Sequence, residues 1–142
     1  MSANPKKLVE RLADATNAHD LDAIVACFAT DYVNETPAHP ERGFHGPAQV
    51  RRNWAQILGG VPDICARVLA LVVDGNTVWS EWEMAGTRRD GAPHLMRGVI
   101  VFVVDDALIR AARFYLEPVD PDSGTVGEFV ARTVAGVAPD PT

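Results

Sequence analysis

The residues best suited to chemistry fall in one short stretch, "DYVNETPAHPERGFHG" (residues 31–46), which carries Tyr32, Asn34, Glu35, His39 and His45. Tyr32 and Asn34 alternate, so an extended backbone would point both side chains the same way. A phenol and a carboxamide so placed can orient a carbonyl, a hydroxyl or a water, although neither is a strong base near neutral pH. The same pair could instead satisfy buried backbone groups. His39 and His45 could act as acid, base or ligand, since a free histidine titrates near pH ~6.5. Their spacing across Pro40 and Gly43 matches no metal-ligand pattern, so no metal site is expected and the two histidines become candidates for the rim of a site. Glu35 and Glu117 adjoin apolar runs, where desolvation would raise a carboxyl toward general-base range. A solvated surface role suits both better, and only Glu117 is kept beside Tyr32 and Asn34 as a catalytic candidate.

The elements that must position these groups can be read from periodicity. Leu8, Val9, Leu12, Ala15 and Ala18 recur at helical spacing, and Pro5 suits a first turn. Asp20 is a plausible N-cap for a short second helix whose apolar positions are Leu21, Ile24, Val25 and Phe28. Gly46-Pro47 opens a third helix, "PAQVRRNWAQILGG", with Val50, Trp54, Ile57 and Leu58 on one face. Beyond it the chain is rich in β-branched and aromatic residues. Turn signals at Asp74-Gly75-Asn76, Asp90-Gly91 and Asp105-Asp106 divide it into four long antiparallel strands. Helices segregated before strands imply an α+β domain with the helices packed on one face of the sheet. The domain should span residues 1–118. Residues 119–142 form a polar tail with a helical period at Phe129, Val130 and Val134 and the ending "APDPT".

The 142 residues are enough for one core that buries roughly two thirds of the unfolded surface. With 47% hydrophobic and 23% charged residues, and no apolar run near the ~18 residues of a membrane span, a membrane partner is not expected. Nor is a signal peptide, because Glu10, Arg11 and Asp14 interrupt the only candidate stretch. A net charge of −6 without a Lys/Arg cluster argues against nucleic acid as a partner. Cys27 and Cys65, far apart and outside any CxxC pair, read as two buried, reduced thiols in a cytoplasmic protein.

Two strands are unusual. "ARVLALVV" and "RGVIVFVV" are apolar at both parities, so both faces of the sheet should be covered. The helices cover one face. A second copy of the chain is the simplest cover for the other, which predicts a homodimer through the outer sheet face with Val101 in its interface; the tail helix is the alternative cover.

Three helices, a loop with Tyr and Asn, and a sheet ending in an aromatic-rich strand resemble the nuclear transport factor 2-like superfamily, and within it the SnoaL-like (polyketide cyclase-like) branch. The stretches that carry the likeness are "AHDLDAIVACFATDYVNETPAHPERGFHGPAQVRRNW", "VPD", "VWSEWEMAGTRRDG" and "MRGVIVFVVDDALIRAARFYLEP", across about residues 8–118. The resemblance implies a curved sheet of four or more mostly antiparallel strands wrapped around three helices, a cone with an internal pocket. Tyr32-Val33-Asn34 looks like the pair that holds the attacking water in limonene epoxide hydrolase. The Arg and two Asp that activate that water align with Trp82, Met84 and Phe114, so that machinery is absent. The cyclase acid/base Asp aligns with Ile100. Helix one offers only Asn17 and His19 where ketosteroid isomerase would need a Tyr.

This register turns Ser80, Trp82, Met84, Met96 and Ile100 inward and Trp79, Glu81, Glu83, Arg97, Val99, Val101 and Val103 outward. On the last strand Phe114 is expected inside, with Arg113, Tyr115 and Glu117 as the alternative inward row. The expected pocket wall is therefore Trp54, Ile57, Trp82, Met84, Met96, Ile100, Phe114 and Tyr115, with His39 and His45 at the rim. It suits a hydrophobic small molecule and calls for no cofactor. Isomerisation, cyclisation, dehydration or hydrolysis are the compatible reactions, and enzyme action stays open beside two alternatives, a non-catalytic ligand-binding protein or a dimerisation module with a filled cone.

Overall fold

The computed structural model describes residues 4–135. Helix α1 (Pro5–Asn17) begins where the Asn4 side chain accepts from the Lys6 and Lys7 amides, with Pro5 in the first turn. It buries Leu8, Val9, Leu12, Ala15 and Thr16. Helix α2 (Leu21–Val25) is capped by Asp20, which accepts from the Ala23 amide. It stops earlier than its apolar pattern suggested. Phe28 opens strand β1 (Phe28–Glu35) instead, because the Cys27 carbonyl accepts from the Ile109 amide and draws the chain into the sheet.

A 3-10 turn (Pro40–Arg42) and the two-residue strand β2 (Phe44–His45) lead to α3 (Pro47–Gly60). Four long strands follow: β3 (Cys65–Asp74), β4 (Thr77–Thr87), β5 (Pro93–Asp105) and β6 (Leu108–Pro118). The single sheet has the order β2-β1-β6-β5-β4-β3, with β1 parallel to β6 and every other pair antiparallel. The sheet is thus two strands wider than turn signals alone indicate. Those two strands come from the stretch read as a loop and, for the start of β1, from the end of the stretch read as helix two.

One core lies between the helices and the inner sheet face. Leu8, Val9, Leu12, Ile24 and Val50 meet Val78, Trp82, Met84, Ile100, Phe102 and Ala112. The open edge at β3 is closed by side chains: Asn17 donates to the Ala66 carbonyl at 2.9 Å and accepts from its amide at 2.6 Å, as another strand would. His19, exposed and in a left-handed conformation at φ 56, also bonds the Ile64 carbonyl at 2.8 Å. Cys65 also departs from expectation. It begins the edge strand with outward parity and is exposed, whereas Cys27 is buried.

The outer face carries no cover within the described chain. Val72 is 66% exposed and Trp79 49%. Helix α4 (Val126–Val134) leaves Phe129 60% exposed, so it does not cover this face. Val101 is an exception on the outer face, fully buried in a single chain. Trp79 and Arg113 flank it in register and arch over it, with the guanidinium 5.9 Å from the Trp79 ring centroid.

The β5–β6 hairpin closes with Asp106 and Ala107 at φ 50 and 65, a left-handed pair in which alanine pays a steric cost. Ala107→Gly is therefore expected to raise unfolding free energy by about 0.5–1 kcal/mol, after allowance for the looser unfolded chain. Urea denaturation of the two proteins measures this, and a destabilised Ala107→Gly would contradict it.

Candidate functional site

Strand β1 holds Tyr32 and Asn34 on the inner face, and the alternation read from sequence brings them together. The Tyr32 hydroxyl donates to Asn34 Oδ1 at 2.7 Å, with both side chains buried. The Tyr32 ring meets Phe28 and Phe44 edge-on, at centroid distances of 4.7 and 6.0 Å. Burial pushes the phenol well above its ordinary pKa, so it remains a protonated donor and is no base at neutral pH. Because the phenol occupies Oδ1, the carboxamide presents its N–H groups. Among the described residues none accepts from Asn34 Nδ2, and Asn34 as a whole is 7% exposed.

Behind this pair the interior is solid. Trp82 and Ile100, expected as open wall, are sealed: Trp82 is fully buried, donates from Nε1 to Ser80 Oγ at 2.8 Å and lies edge-on to Phe102. Ser80 in turn donates to the Ile100 carbonyl at 2.6 Å. Its hydroxyl is committed in both directions. Trp82 and Ile100 form a packed floor because the indole fills the space that an open wall would leave.

The apolar side chains that keep solvent contact lie further out. Trp54, Ile57 and Leu58 of α3, together with Met96, Phe114 and Leu116 of β5 and β6, are half-buried against the core. Met84 lies deeper, among the buried residues. The β5–β6 register pairs Ile100 with Phe114 and Gly98 with Leu116, which settles the parity of β6 with Phe114 inward. Tyr115, paired with Val99, points outward and is exposed; it does not line the interior. Glu117, paired with Arg97, shares that outer parity. Its Oε1 accepts from His39 Nε2 at 3.0 Å and Arg42 Nη1 at 3.4 Å. A half-exposed carboxylate held by an imidazole and a guanidinium is not the desolvated base the sequence suggested. It stitches the loop after β1 to the end of β6.

His45 sits exposed on β2, paired with Val33, and Glu35 is exposed at the end of β1. Among the described residues the buried polar side chains besides Tyr32 are Thr16, Asn34, Thr36 and Ser80, none of which ionises near neutral pH. Among the described residues no group of His, Cys, Asp and Glu is arranged to hold a metal. Phe44, Leu58 and Leu116 were missed in the sequence reading. The inward parity of Phe114 would have yielded Leu116, while Phe44 had no signal because β2 is only two residues long.

The order of elements, the parallel β1–β6 pair and the inner Tyr-Asn pair invite comparison with known families, and the sequence model of the SnoaL-like domain matches residues 9–112. The chain belongs to the SnoaL-like family. No curated protein is matched by sequence. Solved structures agree on the nuclear transport factor 2-like fold. AclR from Streptomyces galilaeus, described as a putative hydroxylase, superposes with TM-score 0.70 at 16% identity, covering 80% of this chain and 88% of its own. A loop-truncation variant of IdmH gives 0.67 at 22% identity, covering 80% and 92%. A hypothetical protein with a ketosteroid isomerase-like fold from Catenulispora acidiphila DSM 44928, in complex with trimethylamine, gives 0.67 at 16%, covering 77% and 85%. At these identities the likeness is one of fold, and the chemistry of this SnoaL-like protein must be argued from its own side chains.

Proposed function

We propose that this SnoaL-like protein binds a hydrophobic small molecule carrying a hydrogen-bond acceptor, such as a carbonyl or ether oxygen or a hydroxyl used as acceptor. Its apolar body would lie against Trp54, Ile57, Leu58, Met96, Phe114 and Leu116, and its acceptor would meet Asn34 Nδ2. The observation that carries this reading is the hydrogen bond from Tyr32 to Asn34 Oδ1, which commits the carboxamide oxygen and leaves its N–H groups as the donors of the pair. An apolar site with one fixed donor discriminates against ligands that leave it unpaired, at about 1–3 kcal/mol per unmet group. The complex of the Catenulispora relative with trimethylamine supports small-molecule occupancy of the fold.

Binding without turnover is the reading favoured by the interior, which buries no carboxylate, imidazole or lysine among the described residues. If substrate is transformed, the Tyr32–Asn34 pair would supply orientation and stabilise developing negative charge on the acceptor oxygen. The proton would then have to move through solvent or through the substrate itself. Cofactor-free isomerisation, cyclisation, dehydration or hydrolysis remain compatible with a fold that hosts many chemistries.

Calorimetry after a screen of small apolar ketones, esters and hydrocarbons of matched size tests both points. Ketones should bind and the hydrocarbons should not. Asn34→Leu should weaken binding at least about tenfold, equal to roughly 1.4 kcal/mol, and His39→Ala should change it less. Unchanged binding by Asn34→Leu beside loss by His39→Ala would move the site to the Glu117 cluster.

We also propose that the outer sheet face is a two-fold interface between copies. Support comes from the exposure of Leu69, Val72, Trp79 and Tyr115 on that one face. Val101, sealed within each chain, is not the position to probe it. Val72→Asp is, because its side chain is free in the single chain.

A further inference from the structure

Helix α4 is built as a docking element. Val126, Phe129, Val130 and Val134 form one stripe at helical spacing, and all four are exposed, Val126 and Val134 at 77%. Nine residues in water are too few to be stable as an isolated helix, so the stripe needs a surface. A second unpartnered apolar surface exists on the same chain. The outer face of β3 and β4, widened where the β3 register shifts between Val68 and Ala70, forms a shallow groove lined by Ala70, Val72, Trp79, Glu81 and Val99.

The link before α4 bears on which copy supplies that groove. Val119 donates to the Leu95 carbonyl at 2.9 Å, which pins the link to the end of the sheet. Asp122 donates to Asp120 Oδ1 at 3.0 Å, and Gly124 takes φ 92, where the Glu128 carboxylate leaves little room for a side chain. The Thr125 hydroxyl caps the helix by accepting from the Glu128 amide and donates to Glu128 Oε1, and Arg132 donates to the Ser123 carbonyl. These bonds order the link and the first turns of the helix locally, and in this arrangement the stripe is not packed on its own chain, since all four of its residues are exposed. Charge fits as well: Arg132, one turn after Phe129, borders the stripe, and Glu81 borders the groove. The guanidinium has donors to spare beyond Ser123.

We propose that α4 of one copy lies across the outer β3–β4 groove of a second copy, with Phe129 and Val130 in the groove and Arg132 beside the Glu81 carboxylate. The exchange is reciprocal, so two identical arms close a dimer. It rests on the outer-face interface proposed above and assigns the surface that completes it. The lack of excess positive charge on α4, which carries Glu128 and Arg132 alone, argues against an anionic lipid surface as the occupant.

The test uses the full chain. Sedimentation should show a dimer. Phe129→Ser with Val130→Ser should raise its dissociation constant at least about tenfold and leave the thermal midpoint of the body nearly unchanged, since neither residue is buried in the single chain. Two differently tagged chains, both Cys65→Ser, one with Val72→Cys and the other with Phe129→Cys, should form a mixed disulfide when oxidised together. A chain bearing both cysteines that cross-links only within itself would overturn the exchange and place α4 on its own sheet. An unchanged dissociation constant in the double serine variant would also overturn it while leaving the sheet interface standing. A wild-type monomer at micromolar concentration would overturn both.

Discussion

Gly98→Val is expected to abolish folding, and Gly98→Ala to lower unfolding free energy by at least about 3 kcal/mol, a large share of the ~5–15 kcal/mol typical of a domain. Gly98 lies mid-strand in β5 with φ 151, a conformation that side chains rarely adopt. A Cβ there would collide with the Tyr115 carbonyl oxygen and approach Leu116 Cα to 2.8 Å. Both are backbone atoms of the neighbouring strand, so relief requires breaking the β5–β6 ladder. The reason for the glycine is its register. Gly98 pairs with Trp82 on one side and Leu116 on the other, and the tight approach of β6 bends the sheet around the indole. Gly59→Ala in α3 is the control, because nothing lies within 4 Å of its Cβ position. It should gain up to ~1 kcal/mol from helix propensity. Urea denaturation measures all three, and Gly98→Ala within about 1 kcal/mol of wild type would refute this account of the curvature.

The contrast between these glycines shows what was readable before the structure. Helices α1 and α3 announce themselves by spacing, because each buries one stripe and exposes the rest. The hairpins were legible at their turns, even where Ala107 replaces the glycine that the φ value would favour. Strand β1 was not. Its partner β6 is some eighty positions away and parallel to it, and non-local pairing leaves no local mark, so Phe28 read as the end of a helix. The parity of β6 was also undetermined, since a register shift between Val103 and Val104 intervenes before its inward row. For the site, alternation placed Tyr32 and Asn34 on one face correctly. Which atom of Asn34 stays available depends on a hydrogen bond that spacing cannot show. Glu117 was drawn into the candidate set by the apolar run before it, and its engagement by His39 and Arg42 is a contact between distant segments.

Trp82→Ala should cost about 3–5 kcal/mol, the range for deleting a buried aromatic side chain. Trp82 is fully buried, edge-on to Phe102, and its indole N–H is satisfied by Ser80, whose hydroxyl is anchored on the Ile100 carbonyl. Removing the ring leaves an apolar void lined by Ile100, Phe102 and neighbouring core residues, closed by the same sheet curvature that Gly98 permits. Such a void stays dry and accepts an apolar guest of matching shape. Added indole should therefore raise the unfolding midpoint of Trp82→Ala and leave wild type unchanged, by mass action on the folded state. Ser80→Ala should be milder, about 1–3 kcal/mol, because it orphans the indole N–H without emptying the site. The two variants together distinguish a packed floor from a ligand wall. A wall residue facing open space contributes little to stability, and its truncation would enlarge the binding site and alter ligand selectivity. A floor residue is paid for in stability first. If Trp82→Ala unfolds within about 1 kcal/mol of wild type and gains nothing from indole, the ring projects into open space, and the ligand proposed for Asn34 would extend down to Ile100 instead of resting against Met96 and Phe114.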